Sequence, residues 1–391
     1  MHAQHHLVPS IGYDESELRS AIRDLCASFP PEYWRSLEPD RYPEEFVKAL
    51  SEHGWLGVMI PEEYGGAGLG VSAAAAILEE INACGCDSKA CHAQMYTMGT
   101  LLRHGSDAQK AKYLPDIASG RLRLQAFAVT EPTAGSDTTK IQTLASRVDG
   151  RYVVTGQKIW TSRAQYSDLL MLLARTMPAS EVAKRTDGLS VFIVDLNAIA
   201  EGLTITPIET MINHHTTELF FDKVELPLDA LIGEEGKGFR YILDSMNAER
   251  VLIASEAIGD GRWFVKKAAA YSSERVVFGR PIGANQGVQF PIARAYVEVE
   301  AAALMRNHAA TCFDAGLPCG AEANMAKLLA SEASWHAANA CLDTHGGFGF
   351  AKEYDIERKF RETRLLSIAP VSNNLIVAYI GEHVLGMPRS Y

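Results

Sequence analysis

The chain has 391 residues, of which 47% are hydrophobic and 22% charged, as is typical of a globular protein with a large core. Its formal net charge of −11 argues against nucleic acid or an anionic membrane as the main partner. No apolar run reaches the roughly 18 residues that a membrane span needs. Residues 1–17 also lack the cationic and then apolar order of a signal peptide. A cytoplasmic location is therefore expected.

The cysteines indicate a reducing compartment. There are seven of them, an odd number, and their spacing does not form a disulfide framework. Cys84, Cys86, Cys91 and His92 can be interpreted as a metal site, but no second ligand pair follows them. Packing of small side chains between helices is the favoured interpretation, so no metal is expected.

Three regions follow one another along the chain. Residues 1–120 carry apolar residues at helical spacing, such as Leu18, Ile22 and Leu25, and are predicted to form an N-terminal helical domain. Within this region, residues 61–70 contain glycines at alternate positions. No β-patterned strand precedes them, so the pattern favours a connecting loop over a nucleotide-binding turn.

Residues 121–235 change to a period of two and are predicted to form a central β-domain of mostly antiparallel strands. The strand-like runs are residues 152–160, 169–173, 189–194 and 218–221.

The helical period returns in residues 236–391 and predicts a C-terminal four-helix bundle. The long periodic runs are residues 237–271, 285–315 and 321–345. The predicted fold class is therefore α+β, mostly α.

Residues 128–137 read Ala-Val-Thr-Glu-Pro-Thr-Ala-Gly-Ser-Asp and lie where the helical region meets the β-domain. Their small and hydroxyl side chains let backbone N–H groups and side-chain oxygens approach a flat polar heterocycle. A flavin needs such donors at its pyrimidine carbonyls and at N5, where charge collects on reduction. Alone, the string is equally typical of a turn.

Four further motifs follow in order, at residues 156–160, 218–222, 274–279 with Gln286, and 345–349. The ordered set resembles the acyl-CoA dehydrogenase family from about residue 50 to about residue 370. The resemblance implies a helical, β-barrel-like and helical architecture that binds FAD. It also implies a homotetramer with FAD shared across subunit interfaces, an acyl-CoA substrate, and an electron-transfer flavoprotein as electron acceptor.

The resemblance assigns FAD contacts residue by residue. Around the flavin ring it implies Phe127, Val129, Thr130, Ser136, Trp160 and Ser162. Trp160 would cover the ring, Ser136 would also contact the substrate, and Ser162 keeps the hydroxyl of the Thr that the family usually has at N5. For the FAD of a neighbouring subunit it implies Arg275, Phe278, Gln286, Asp343, Gly346 and Gly347. Near the C-terminus it implies Ser372 and Asn374.

Two of these assignments carry a specific expectation. Arg275 would bind the pyrophosphate. Asp343 stands where the family usually has Gln, so an acceptor-only carboxylate replaces an amide there.

The base is not where most of the family has it. Dehydrogenation of a thioester needs a carboxylate that takes the weakly acidic α-proton. The usual position, near the C-terminus, falls on Pro370, which cannot accept a proton. The backbone N–H that normally polarises the thioester carbonyl is also lost there. Either the N–H of Val371 replaces it, or the enolate is stabilised less well.

A minority of the family, including isovaleryl- and long-chain-type members, carries the base on a helix directly before an Arg. In the helix predicted from residue 237, the apolar stripe should include positions 249 and 250, which are Glu249 and Arg250. A carboxylate on a buried stripe is unfavourable unless it is paired or functional. Glu249 is therefore the predicted base, and a structural salt bridge is the alternative. Arg250 and Asn247 are predicted substrate contacts, with Asn247 replacing an Asp that is usual at a CoA contact.

Two other candidates rank lower. Glu256 lies two turns beyond Glu249 but matches no base position of the family. His214 and His215 are adjacent before a predicted strand, where neighbouring side chains point to opposite faces, so a surface or turn role is favoured over a shared metal.

The leading hypothesis is oxidation of an acyl-CoA to its trans-2-enoyl-CoA. A base on the helix often accompanies branched or bulky acyl groups in this family, so a short branched acyl-CoA is one candidate substrate. No motif in the sequence fixes the length or branching of the acyl chain. The alternative is a flavoprotein of the same fold with altered chemistry: an acyl-CoA desulfinase, an oxygen-dependent oxidase or a carrier-protein thioester dehydrogenase. A catalytically silent partner subunit is the third possibility.

Overall fold

The structure is a computed structural model that describes residues 15–390; most of the stretch considered for a signal peptide, residues 1–14, lies outside them. The described chain divides into two compact units. The sheet unit comprises residues 36–69 and 89–249, and the helical unit comprises the described parts of 1–35, 70–88 and 250–391. The predicted domains 1–120, 121–235 and 236–391 follow chain order instead, and their bounds stay predictions.

The helices within residues 15–390 are numbered in chain order. They are α1 (Glu15–Ala27), α2 (Pro31–Ser36), α3 (Glu44–Glu52), α4 (Val71–Ala83), α5 (Lys89–His104), α6 (Asp107–Ala118), α7 (Gly238–Glu274), α8 (Gln286–Asp314), α9 (Gly320–His345), α10 (Ile356–Leu365) and α11 (Asn373–Tyr379).

The strands are numbered in the same way. They are β1 (Ala126–Ala128), β2 (Leu144–Val148), β3 (Arg151–Ser162), β4 (Leu169–Arg175), β5 (Leu189–Asp195), β6 (Leu203–Pro207), β7 (Thr216–Pro227), β8 (Leu231–Ile232), β9 (Val276–Val277) and β10 (Arg280–Pro281).

The sheet unit is built on one sheet with the strand order β6-β7-β3-β2-β4-β5-β8, and β1 pairs with β4. The pairs are antiparallel except β1 with β4 and β2 with β4. The prediction of a mostly antiparallel β-domain is thus confirmed, and each of the four predicted runs lies within a strand.

The strand β4 is apolar along almost its whole length because both of its faces are buried. Leu169, Met171 and Leu173 point to a core shared with α5 and α6. Leu170 and Leu172 point to a second core on the other face of the sheet. The short strand β1 therefore pairs with a strand that is buried on both faces.

The helical unit contains α8 packed on α9 and α1 packed on α4. Its polar centre is the buried carboxylate of Glu79 on α4, which forms ion pairs with Arg19 at 2.7 Å, Arg262 and Arg306. The three arginines come from α1, α7 and α8, so one carboxylate joins four helices. The long helices predicted at 237–271, 285–315 and 321–345 are confirmed by α7, α8 and α9.

The loop predicted for residues 61–70 is also confirmed, with a single 3-10 turn at Glu62–Tyr64. All seven cysteines lie within residues 15–390 and are free thiols. In that same range, no group of three His, Cys, Asp or Glu side chains is arranged to hold a metal ion. None of the helices described is long and apolar enough to cross a membrane.

Candidate functional site

The segment predicted to face the flavin leaves β1 and is held from behind by β3. Lys158 of β3 is fully buried and its Nζ donates to the carbonyl of Val129 and to Glu131 Oε1, both at 2.9 Å. The next residue, Ile159, donates its N–H to the carbonyl of Thr130 at 2.9 Å. Two hydrogen bonds from β3 therefore hold the backbone of Val129 and Thr130, and a third holds the side chain of Glu131.

The Glu131 carboxylate connects this segment to the two residues directly before β2. It accepts hydrogen bonds from the N–H of Gln142 at 2.6 Å and of Thr143 at 2.9 Å. Burial alone would raise the pKa of Glu131, but Lys158 and these hydrogen bonds lower it. Burial lowers the pKa of Lys158 to about 8 despite the nearby carboxylate. Both groups are therefore charged at neutral pH, as a buried ion pair.

Trp160 projects from β3 at a β-bulge. The register between β3 and β7 slips between Lys158 and Thr161, and Trp160 has a φ of +61° with its side chain 58% exposed. A large residue in the left-handed region is strained, and such strain concentrates at functional sites. The bulge presents the indole where it can lie against a flat ring.

The three hydroxyl side chains among the predicted flavin contacts are available to bind a ligand. Thr130 and Ser162 are half-buried and Ser136 is exposed, and none of the three side chains has a hydrogen bond to another residue within 15–390. Hydroxyl groups without a partner in that range fit the polar edge of an isoalloxazine ring, and the exposed indole of Trp160 fits its face. Phe127 and Val129, the other two predicted ring contacts, are half-buried and pack against the core between the sheet and α5 and α6.

Glu249 lies on α7 with only 7% of its surface exposed, as the break in the apolar stripe predicts. Its neighbour in the sheet unit is Tyr96 of α5. Burial raises the pKa of the Tyr96 phenol, and the charge of the Glu249 carboxylate raises it further. The ring of Tyr96 is in turn 6.0 Å from that of Phe127. One buried carboxylate thus lies near the segment that is predicted to hold the flavin.

The lower-ranked carboxylate has a structural partner. Glu256 is buried in the helical unit, where Oε1 accepts a hydrogen bond from Ser88 Oγ at 3.1 Å and the backbone carbonyl accepts one from Asn82 at 3.1 Å. Pro370, at the usual base position, is exposed. Asn247 and Arg250, the predicted substrate contacts, are half-buried on α7.

The helical unit carries the other predicted FAD contacts. Phe278 is fully exposed at the tip of the β9–β10 hairpin, where it and Gly279 have φ of +51° and +78°. Such angles are typical of a tight hairpin turn, and they hold the phenyl ring out from the unit. Arg275, at the base of the hairpin, places its guanidinium 5.9 Å from the ring centre of Phe348. The structure thereby brings Arg275 next to the 346–350 segment.

The remaining predicted contacts lie at helix ends. Gln286 is the first residue of α8, and Asp343 is exposed in the last turn of α9. Gly346 and Gly347 follow α9, and a Cβ at either would meet nothing within 4 Å, so a ligand can approach their backbone closely. Ser372 caps α11 by accepting a hydrogen bond from Leu375 N–H at 3.4 Å, and Asn374 is exposed.

Sequence reasoning missed several charged or polar residues of the sheet unit. The Lys158–Glu131 pair, Tyr96 and Arg163 were not identified, because their partners are distant in the chain. His214 and His215 directly precede β7 in an irregular segment, with a φ of +52° at His215, and both are half-buried rather than at the surface. Of these residues, only Tyr96 had a signal in the sequence, which is the spacing of polar residues on one face of α5.

Comparison with known proteins indicates the same family as the arrangement of the candidate site residues. Family models of the acyl-CoA dehydrogenase N-terminal, middle and C-terminal domains match residues 13–121, 126–224 and 236–385. Acyl-CoA dehydrogenase FadE12 of Mycobacterium tuberculosis is 36% identical over 387 residues, covering 96% of this chain and 98% of that protein.

Solved structures have the same fold. A glutaryl-coenzyme A dehydrogenase in complex with glutaryl-CoA has a TM-score of 0.90 at 30% identity, covering 98% of each chain. Butyryl-CoA dehydrogenase of Megasphaera elsdenii has a TM-score of 0.90 at 26% identity, covering 97% of this chain and 100% of that one. The cofactor is FAD, and the chain belongs to the acyl-CoA dehydrogenase family of oxidoreductases.

Proposed function

We propose that the protein oxidises an acyl-CoA to its trans-2-enoyl-CoA, with Glu249 as the base and an electron-transfer flavoprotein as the acceptor. The observation that carries this proposal is the buried Glu249 carboxylate, next to Tyr96 in the same unit as Thr130, Ser136, Trp160 and Ser162. Pro370 leaves the usual base position without a carboxylate, which supports the same assignment.

In this mechanism the Glu249 carboxylate takes the proton from the α-carbon of the thioester. Bound FAD supplies the acceptor for the hydride from the β-carbon, at its N5. Thr130, Ser136 and Ser162 orient the ring through hydrogen bonds, and Trp160 covers it and excludes water. The N–H of Val371 is our candidate for the donor that polarises the thioester carbonyl in place of Pro370.

The exposed aromatic rings of the helical unit support a homotetramer in which FAD is shared. Phe278, Phe348 and Phe350 are all exposed, and large exposed apolar groups mark interaction surfaces. Arg275 lies next to Phe348 and would bind the pyrophosphate of the FAD held by a neighbouring subunit.

The test is anaerobic flavin bleaching with a panel of acyl-CoAs, for the wild type and for Glu249→Gln. We expect the variant to bind the best substrate but to reduce its flavin roughly 10² to 10⁴ times more slowly, because a positioned base contributes about that factor. Glu256→Gln is the matched control, since Glu256 is another buried carboxylate of α7 with a structural partner, and it should bleach like the wild type. Bleaching of Glu249→Gln at the wild-type rate would overturn the base assignment. Release of sulfite, or rapid oxygen consumption without need for an electron-transfer flavoprotein, would overturn the proposed reaction.

A further inference from the structure

Three free thiols meet in the helical unit, where α1 and α4 both end. Cys26 lies in the last turn of α1, and Cys84 and Cys86 are the first and third residues after α4. The two helices pack on one another, and the Cys26 thiol forms side-chain hydrogen bonds with the thiols of both Cys84 and Cys86. The proposed reaction uses none of these thiols.

A helix-terminating turn fixes the positions of Cys84 and Cys86. Gly85 lies between them with a φ of +86°. Its N–H donates to the carbonyl of Asn82 at 2.9 Å, and the N–H of Cys86 donates to the carbonyl of Ile81 at 3.2 Å. These two hydrogen bonds around a left-handed glycine form a Schellman motif. The two cysteines are therefore held on backbone that is hydrogen-bonded to the last turn of α4.

The end of α1 is held against the same turn. The N–H of Phe29 donates to the carbonyl of Cys26 at 3.0 Å. The carbonyl of Phe29 accepts a hydrogen bond from the Cys86 thiol, with Sγ at 4.0 Å, and another from Nε1 of Trp34 at 3.2 Å. Because hydrogen bonds hold both sides, the contact among the three thiols is a fixed feature of the helical unit.

Cys84 is exposed, whereas Cys26 is buried, and the two thiols differ in acidity. The hydrogen bond with Cys26 lowers the pKa of the Cys84 thiol. The charges of Arg23 and Lys266 lower this pKa further, whereas partial burial and the charge of Glu80 oppose them. The hydrogen bonds within the cluster raise the pKa of Cys26. Cys84 is therefore the thiol that ionises while Cys26 keeps its proton, and an exposed thiolate is a nucleophile.

We propose that Cys84 is a site of oxidation by hydrogen peroxide and that Cys26 then joins it in a disulfide between α1 and α4. The Cys84 thiolate bonds to one oxygen of the peroxide and the O–O bond breaks, so that a sulfenic acid forms and the other oxygen leaves as hydroxide. The Cys26 sulfur then bonds to the Cys84 sulfur while the S–O bond breaks, and the departing oxygen takes the Cys26 proton. Two thiols and one peroxide thus yield one disulfide and two waters, and the two sulfurs supply the two electrons that reduce the peroxide.

Cys86 is the competing thiol of the cluster, because it contacts the same Cys26 thiol. It is only 1% exposed and donates to the carbonyl of Phe29, so it is shielded from solvent. A peroxide therefore reaches Cys84 first, and Cys26 is the thiol in contact with it. The inference is independent of the proposed function, since it involves neither the flavin nor a thioester.

The test exposes FAD-loaded, fully reduced protein to a small excess of hydrogen peroxide and maps its cysteines by mass spectrometry of a non-reduced digest. We expect a pair of peptides joined by a disulfide between Cys26 and Cys84, which dithiothreitol separates. Cys84 should also lose its reactivity toward iodoacetamide at least ten times faster than Cys312, a half-buried free thiol of α8 in the same unit.

Three variants assign the roles of the thiols. Cys84→Ser should abolish the disulfide and leave Cys26 reduced. Cys26→Ser keeps a hydroxyl donor beside Cys84 but removes the second sulfur, so the sulfenic acid should persist and react with dimedone. Cys312→Ser is the matched control and should form the disulfide like the wild type. If Cys26→Ser fails to fold, Cys84→Ser and Cys312→Ser decide the test.

The results that would overturn the inference are distinct. Oxidation of Cys84 no faster than that of Cys312 would show that it is an ordinary surface thiol. A disulfide between Cys26 and Cys86, in the wild type or in Cys84→Ser, would show that Cys84 is not the reactive group. Oxidation of Cys84 with Cys26 still reduced would show that Cys26 is not its partner. Each of these results leaves the proposed dehydrogenation intact, because flavin bleaching by acyl-CoA measures it separately.

Discussion

Lys158 and Glu131 are buried side chains that support the candidate site and have no role in the proposed reaction. The Lys158 ammonium contacts the carbonyl before Thr130, and Glu131 extends the same contact to the residues directly before β2. A buried ion pair contributes little net stability compared with an apolar pair, but removal of one partner leaves an uncompensated charge. The pair therefore makes the conformation of residues 129–131 sensitive to single substitutions.

Lys158→Met is expected to lower the free energy of unfolding by about 3–5 kcal/mol and to weaken FAD retention, because the Glu131 carboxylate stays buried without its cation. Chemical denaturation followed by fluorescence, together with the flavin content after dialysis, measures both effects. Lys140→Met is the matched control. Lys140 is 3.1 Å from Asp137 in an exposed pair, which is worth at most about 1 kcal/mol.

The double variant Lys158→Met, Glu131→Gln should recover part of the loss, because the carboxylate is then neutralised as well. Equal stability of Lys158→Met and the wild type would show that the pair has no such role.

At the residue scale, the burial of Glu249 could be predicted from the sequence, whereas the contacts around the candidate site could not. Glu249 interrupts an apolar stripe within one helix, so a local pattern is enough to find it. Arg163 and His214 are 51 positions apart, and their contact depends on the bulge in β3 and on the pairing of β3 with β7. No local period carries that information.

At the scale of elements, α4 and α7 approach closely because a glycine lies between them. A Cβ on Gly259 would lie 2.3 Å from the carbonyl oxygen of Glu79 and 2.7 Å from Cβ of Asn82. The side chain of Asn82 donates to the carbonyl of Glu256 at 3.1 Å at the same crossing. The helices cannot accommodate a larger residue here without separating.

Gly259→Ala is therefore expected to destabilise the protein by about 1–3 kcal/mol, despite the better helix propensity of alanine. Thermal unfolding followed by circular dichroism measures the change. Gly99→Ala in α5 is the control, since a Cβ there meets nothing within 4 Å, and it should stabilise by about 0.5–1 kcal/mol. A melting temperature of Gly259→Ala at or above the wild-type value would contradict this account of the helix crossing.

Elements with a strong periodic pattern were predicted well, and those without one were missed. The helices α7, α8 and α9 and the strands β3 and β7 have a regular apolar period, and β4 and β5 are almost continuous apolar runs. By contrast, β2 has only two clearly exposed and one fully buried position in five residues, and β9 and β10 have two residues each. Their existence depends on partners in the sheet or hairpin rather than on their own composition.

At the scale of the whole molecule, FAD binding and stability are linked. A ligand that binds only the folded chain stabilises it by about 2.7 kcal/mol at a free concentration of 100 times Kd. We therefore expect FAD-saturated protein to melt at a clearly higher temperature than the protein from which FAD was removed.

Arg275→Gln should reduce the difference in melting temperature between FAD-saturated and FAD-free protein. The reason is that a charge-assisted hydrogen bond to the pyrophosphate is worth about 1.5–3 kcal/mol. Scanning calorimetry with and without added FAD measures it. Arg280→Gln removes another arginine of the same hairpin, one whose guanidinium donates to Asn285 at 2.6 Å, and it should leave the difference unchanged. If Arg275→Gln also leaves it unchanged, Arg275 does not contact FAD.

The ion cluster of Glu79 has a consequence for how the protein responds to acid. Burial alone would raise the pKa of Glu79, but the charges of Arg262, Arg306 and Arg19 lower it well below its usual range. The contribution of this carboxylate to stability is therefore fully present at neutral pH and is lost only as the pH falls through the lowered pKa. Because the same carboxylate joins α1, α4, α7 and α8, its protonation would weaken the contacts of all four helices together.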